Sequence, residues 1–195
     1  MTNVQNPLSR REILFSIDVE TDGPCPGLNS LLSLGCVAIL PDRTILGSFS
    51  VNLELLAGAE AHPKNAAWWQ TQPEAWAAAR VNAEQPAVGM RRFVEWVNSF
   101  EGKKVAAAFP GGFDFTFVYW YCHRFTGESP FGFQCLDIKS LAKAATGLSY
   151  SRSSKRNLPK RWFAPVPHTH VAVEDAREQA LLMCNILEDL EKIKA

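Results

Sequence analysis

The stretch Phe15-Ser16-Ile17-Asp18-Val19-Glu20-Thr21-Asp22-Gly23 constrains the chain more than any other. The run Ile13-Leu14-Phe15-Ser16-Ile17 has the pattern of a buried strand, and two carboxylates, Asp18 and Glu20, stand where it ends. Alternate residues of a strand share a face, at a rise of about 3.3 Å per residue. The two acids therefore point the same way, with Cα atoms roughly 7 Å apart. Anions side by side at the end of a core strand repel each other unless a cation or a proton lies between them. The ordinary alternative is that the strand has already ended and both acids are solvated in a loop.

Beyond Gly23 the chain has the pattern of a mixed sheet. A Gly/Pro loop leads into LLSLGCVAIL (31–40), closed by the turn signal Pro41-Asp42, and then into the alternating TILGSFSVNLEL (44–55). These runs predict an antiparallel pair. HPKNAAWWQTQPEAWAAAR predicts two short helices broken at Pro73, and Pro86 is suited to open a third as its first residue. KKVAAAFP (103–110) predicts a short buried strand, DFTFVYWYCHRF (114–125) an apolar helix and FQCLDI (133–138) another strand. In the final segment Val173, Ala176, Ala180, Cys184, Leu187 and Ile193 recur near one face of a helix. Three meandering strands followed by strands alternating with helices predict an α/β domain, a mixed sheet with helices on its faces.

A length of 195 residues suits one domain, with residues 1–10 expected as a flexible tail. The formal net charge is zero, so no global field draws in nucleic acid and any such site is built locally. The five cysteines are scattered with no CxxC pair, which argues against a zinc ribbon or a redox pair and for a reducing compartment. The opening residues lack a signal peptide and no apolar run approaches a membrane span, so the expected location is the cytoplasm, without membrane association.

Two further stretches carry chemistry. Asp114 lies among aromatics in AFPGGFDFTF (108–117), where an isolated Asp is most often a helix N-cap. In HTHVAVEDA (168–176), His170 precedes a helix whose first turn holds Asp175, a position the helix dipole favours for any acid. His168 and His170 could also ligate zinc, though no third His or Cys lies nearby. Taken together, Asp18, Glu20, Asp114 and Asp175 all fall at strand ends or helix starts, where a sheet can gather them. Carboxylate oxygens are the ligands Mg²⁺ or Mn²⁺ prefers. Two such ions about 4 Å apart stabilise the attacking and leaving oxygens of a phosphoryl displacement. His170, mostly neutral at pH 7, can take a proton from water.

The order Asp-x-Glu, then Asp, then His-x4-Asp resembles the motifs of the DEDDh class of 3′–5′ exonucleases, which have a ribonuclease-H-like fold. The first motif is Asp18-Val19-Glu20, the second Phe113-Asp114 followed by Phe117, the third His170 to Asp175 with Ala176 and Ala180 also fitting. Many members place Asn four residues before the second-motif Asp, where this chain has Pro110. The resemblance implies metal-dependent release of nucleoside 5′-monophosphates from the 3′ end of single-stranded RNA or DNA, or of a short oligonucleotide. It implies Asp18 bridging two divalent cations, Mg²⁺ or Mn²⁺. Glu20 and Asp175 would hold the ion that carries the attacking water, Asp114 would support the second ion, and His170 would be the general base. Several stand-alone relatives are dimers, so a homodimer is among the expectations.

Substrate contacts are expected from the acid-free basic stretch 150–163, with Arg152, Lys155, Arg156, Lys160 and Arg161. Trp162 and Phe163 in it either stack on a base or anchor the loop. The resemblance adds Thr21 beside the terminal nucleotide, Leu28 or Leu31 as a wedge, and Phe117. Trp68 and Trp69 are candidates for base stacking, although tryptophan at that density is usually core or interface. Two alternatives stand beside the exonuclease. A haloacid-dehalogenase-type phosphatase would want Asp in place of Glu20 and leaves His170 and Asp175 unexplained. The other is a catalytically silent nucleic-acid or nucleotide-binding module on the same fold.

Overall fold

At the centre of the fold is β1 (Glu12–Thr21), ten residues whose odd and even side chains face opposite ways. The structure is a computed structural model and describes residues 11–163 and 170–194, with side chains as far as Lys192. The expected tail over 1–10, His168 and the side chain of Ile193 lie outside the described residues. β1 runs on through both acids, so Asp18 and Glu20 belong to the strand and not to the loop after it. On one side it pairs antiparallel with β2 (Leu31–Ile39), which pairs antiparallel with β3 (Ile45–Asn52). On the other it pairs in parallel with β4 (Lys103–Ala108), and β4 with β5 (Cys135–Asp137). The sheet order is β3-β2-β1-β4-β5, the mixed sheet expected.

Ile13, Phe15, Ile17 and Val19 project from β1 into a core shared with α3 (Pro86–Asn98) and α4 (Gly111–Thr126). Met90, Phe93 and Val97 of α3 and Phe117, Val118 and Tyr121 of α4 fill that core. Leu14 projects to the other face, under α5 (Ile138–Thr146) and α6 (Ala172–Lys194). α6 buries Ala172, Ala176, Ala180, Met183 and Cys184, while Val173 and Leu187 lie at the margin of the apolar face. Alanines at the start of α6 let it approach the sheet closely. Two short helices, α1 (Pro63–Gln70) and α2 (Pro73–Arg80), each begin on a proline and pack Trp69, Ala75 and Ala79 around Leu32. No helix among the described residues is long and apolar enough to cross a membrane.

α5 has no counterpart in the sequence expectations, and β5 is shorter than the six-residue run that predicted it. Asp137 explains both differences. It ends the strand, and its carboxylate accepts the Ser140 N–H at 3.1 Å and so opens the helix. Its other oxygen accepts the Gly111 N–H at 2.9 Å, which ties the start of α4 to the same point.

Candidate active site

Asp18 and Glu20 lie on the even-numbered face of β1, the face α6 covers. Their partners across β2 are Gly35 and Ser33. Gly35 decides how close α6 can come, since a Cβ built there would lie 2.1 Å from the backbone carbon of Ala172. The first turn of α6 therefore rests directly on the sheet and carries Asp175 to the acids of β1. One ligand atom each from Glu20, His170 and Asp175 come within 4.8 Å of one another, a group able to hold a metal ion. His170 enters the helix with φ of 55°, a left-handed backbone uncommon outside glycine. Its ring meets Trp68 edge-on, at 5.2 Å between centroids. Between Glu20 and Thr21 the register of β1 shifts, an irregularity of the kind that re-aims side chains beside active sites.

Asp114 arrives from the opposite face. Pairing between β4 and β1 extends to Ser16, and beyond it the Val19 N–H donates to Asp114 Oδ1 at 3.3 Å. The N-cap position of α4 is held by Pro110, so Asp114 is not the cap but lies one turn into the helix, buried. The site thus occupies the end of the parallel strands where the sheet opens between β1 and β4, the usual crevice of an α/β sheet.

Loss of hydration raises the pKa of Asp18 well above the carboxylate range, with further pushes from Asp114, Glu20 and Asp175. Burial, then Asp175 and Asp114, push Glu20 up to about 8. Burial lifts Asp114 to about 7 against the opposing pull of the Val19 N–H. Such crowding of anions is what a divalent cation relieves, and a donor set rich in carboxylate oxygens suits one. Among the described residues Lys155 is a nearby cation that opposes the rise at Asp18 and Asp114, and its Nζ pairs with Glu178 Oε2 at 2.5 Å.

The expected substrate contacts divide. Leu28 is 70% exposed on the loop after β1 and is free to meet a ligand, whereas Leu31 is fully buried, so the wedge assignment does not extend to it. Phe117 and Trp69 are likewise core residues, Trp69 donating its Nε1–H to the Thr21 carbonyl at 2.9 Å. Thr21 is buried and spends its hydroxyl on the Gly23 carbonyl at 2.9 Å. Trp68 stays partly exposed beside His170. Arg152, Arg156 and Lys160 are exposed, and Lys155, Arg156 and Lys160 line a cavity with Phe163 and Glu178. Arg161 instead pairs with Asp189 at 2.7 Å, about 21 Å along α6 from Asp175 at 1.5 Å per residue. Trp162 is buried and donates to Asp189 at 2.7 Å, so it anchors the loop. One residue of the site carried no sequence signal: Gln179, whose Nε2 donates to Asp18 Oδ1 at 2.5 Å.

The chain is 33% identical over 188 residues to the 3′–5′ DNA exonuclease Cap18 of Escherichia coli, taking in 94% of this chain and 96% of that protein. Its fold is similar to the nuclease domain of 3′hExo, a DEDDh family member solved with rAMP. The TM-score is 0.67 at 11% identity, over 92% of this chain and 93% of the other. It is also similar to Escherichia coli exonuclease I, solved with an oligonucleotide, at a TM-score of 0.69 and 14% identity. That match covers 94% of this chain and 42% of the longer one. No protein-family model matches the chain.

Proposed function

The chain belongs to the family of 3′–5′ exonucleases, and from that premise we propose that it is a DEDDh-class enzyme that shortens single-stranded DNA from the 3′ end, releasing nucleoside 5′-monophosphates. The observation that carries the reading is the meeting of Glu20, His170 and Asp175, from one strand and the start of a distant helix, within 4.8 Å. DNA is preferred to RNA because the relative at 33% identity is a DNA exonuclease.

Asp18, Glu20, Asp114 and Asp175 are the residues to hold two divalent cations, Mg²⁺ or Mn²⁺. When bound, the cations supply charge to the attacking and leaving oxygens and lower the pKa of water. His170 accepts the proton of the attacking water. The water oxygen bonds to phosphorus and the bond from phosphorus to the 3′ oxygen of the penultimate nucleotide breaks. That oxygen takes up a proton, so the shortened strand keeps a 3′-hydroxyl. Trp68, edge-on to the imidazole, limits the ring to one side of the site. Arg152, Arg156 and Lys160 meet backbone phosphates, and Leu28 separates the terminal bases.

The test uses matched 5′-labelled DNA and RNA oligonucleotides with Mg²⁺, Mn²⁺ or EDTA. The expected result is a ladder that shortens from the 3′ end, faster on DNA and absent in EDTA. A ladder indifferent to EDTA, or no product from folded protein, overturns the proposal.

A further inference from the structure

Asp175 and Gln179 are four positions apart on α6, so they share one face of the helix, the face turned to β1. Gln179 is 1% exposed. Its Nε2 donates to Asp18 Oδ1 at 2.5 Å, and its Oε1 is buried without a hydrogen-bond partner among the described residues. With cations bound Asp18 is an ionised carboxylate, which only accepts hydrogen bonds, so the donor end of the amide is the end that faces it. A buried amide with one end unmatched carries a desolvation cost that methionine of similar volume would not. Its neighbour Glu178 meanwhile holds Lys155. Consecutive residues of α6 therefore restrain an acid and a cation of the same site.

We propose that Gln179 is a positioning residue that fixes the Asp18 carboxylate for the divalent cations. The proposal rests on the two-cation reading of the site. With Oδ1 held by the amide, rotation of the carboxylate about its last torsion is restrained, and its other oxygen is left to a cation. Partners of metal ligands commonly change metal affinity by 10–100-fold. Because the donor comes from the helix that carries Asp175, the spacing between the acids of β1 and α6 is set by one rigid element.

The test compares wild type with Gln179→Met and Gln179→Glu, reading Mn²⁺ binding directly by electron paramagnetic resonance, melting temperature in EDTA, and turnover of a 5′-labelled oligonucleotide. Gln179→Met keeps or raises the melting temperature in EDTA, since the unmatched oxygen is gone. It weakens Mn²⁺ binding at least tenfold and lowers kcat while KM for the oligonucleotide is unchanged. Gln179→Glu does not restore Mn²⁺ binding at pH 8, because an ionised carboxylate there cannot donate to Asp18 and a protonated one must first overcome a further crowded acid. Wild-type Mn²⁺ affinity in a folded Gln179→Met protein overturns the proposal, as does a lower melting temperature with unaltered Mn²⁺ binding, which marks a packing role only. A wild-type protein that binds Mn²⁺ and cleaves nothing overturns the exonuclease reading instead, and leaves the role of Gln179 to be decided by ion binding alone.

Discussion

Replacing Gly35 with alanine puts a methyl group where α6 touches the sheet. The added Cβ would lie 2.1 Å from Ala172 C and 2.2 Å from Ala172 O and Val173 N. All three are backbone atoms, so no side chain can swing aside. Ordinary contact begins at 3.4 Å, and the first turn of α6 must therefore lift by about 1.3 Å. Asp175 lies in that turn and His170 just before it, and both move with it. A misplacement of about 1 Å can cost on the order of 100-fold in rate. Overpacking of this kind costs about 1–3 kcal/mol of stability, or roughly 2–12 °C in Tm for a domain of this size. The assay is single-turnover cleavage at saturating divalent cation, with Tm measured in parallel. Gly47→Ala on β3 is the control, since a Cβ there meets nothing closer than 3.5 Å. A Gly35→Ala protein with wild-type rate and Tm would refute the claim that this contact seats α6.

Asp18→Asn abolishes cleavage but raises Tm at pH 8 in EDTA, because one of four crowded anions is removed while the Gln179 donor still finds an oxygen; cleavage assays and calorimetry check it. The pKa shifts of Glu20 and Asp114, to about 8 and about 7 from ordinary values of 4.5 and 3.8, fix the sign of a pH effect. The folded chain binds more protons than the unfolded one between about pH 4 and 8, so stability in EDTA is full below that window and falls as pH rises through it. Mg²⁺ raises Tm at pH 8 far more than at pH 5, and equal shifts at both would contradict the assignment of the ligands. His170→Gln lowers kcat by about 10²–10⁴-fold at neutral pH and leaves Mn²⁺ binding largely intact, as direct ion titration checks. Removing Arg152 and Arg156 together weakens oligonucleotide binding and flattens its salt dependence by about 0.7 for each phosphate no longer neutralised. Arg161→Gln, whose side chain is committed to Asp189, leaves that slope unchanged.

Asp18, Glu20, Asp114, His170 and Asp175 stood out as candidates because each stands where a pattern changes, at the end of an apolar run or the start of a helical one. The sheet was legible for a related reason: β1, β2 and β3 bury runs long enough to show their period, and prolines open α1, α2 and α3. The features that escaped depend on neighbours distant in sequence. Nothing around Gln179 distinguishes it from any polar residue on a helix until β1 is laid beneath α6. Gly35 resembles an ordinary strand glycine until the backbone of Ala172 is found against it. Trp68 and Trp69 are adjacent and chemically identical, yet one is buried and the other borders the site, because α1 turns only one of them inward. Leu31 and Phe117 were expected near substrate from motif position, and the core claims both.

The bond between Gln179 and Asp18 joins residues 161 positions apart. On the ribosome a chain emerges N-terminus first, so β1 and its antiparallel neighbours are exposed long before α6 exists. Until then Asp18 and Glu20 have no Asp175, no His170 and no restraining amide. On the proposed reading of the site, a nascent chain, or one cut between β1 and α6 whose pieces part, is therefore expected to spare any strand it meets. Activity is then expected only with α6 in place, so turnover of an oligonucleotide doubles as a readout of complete folding.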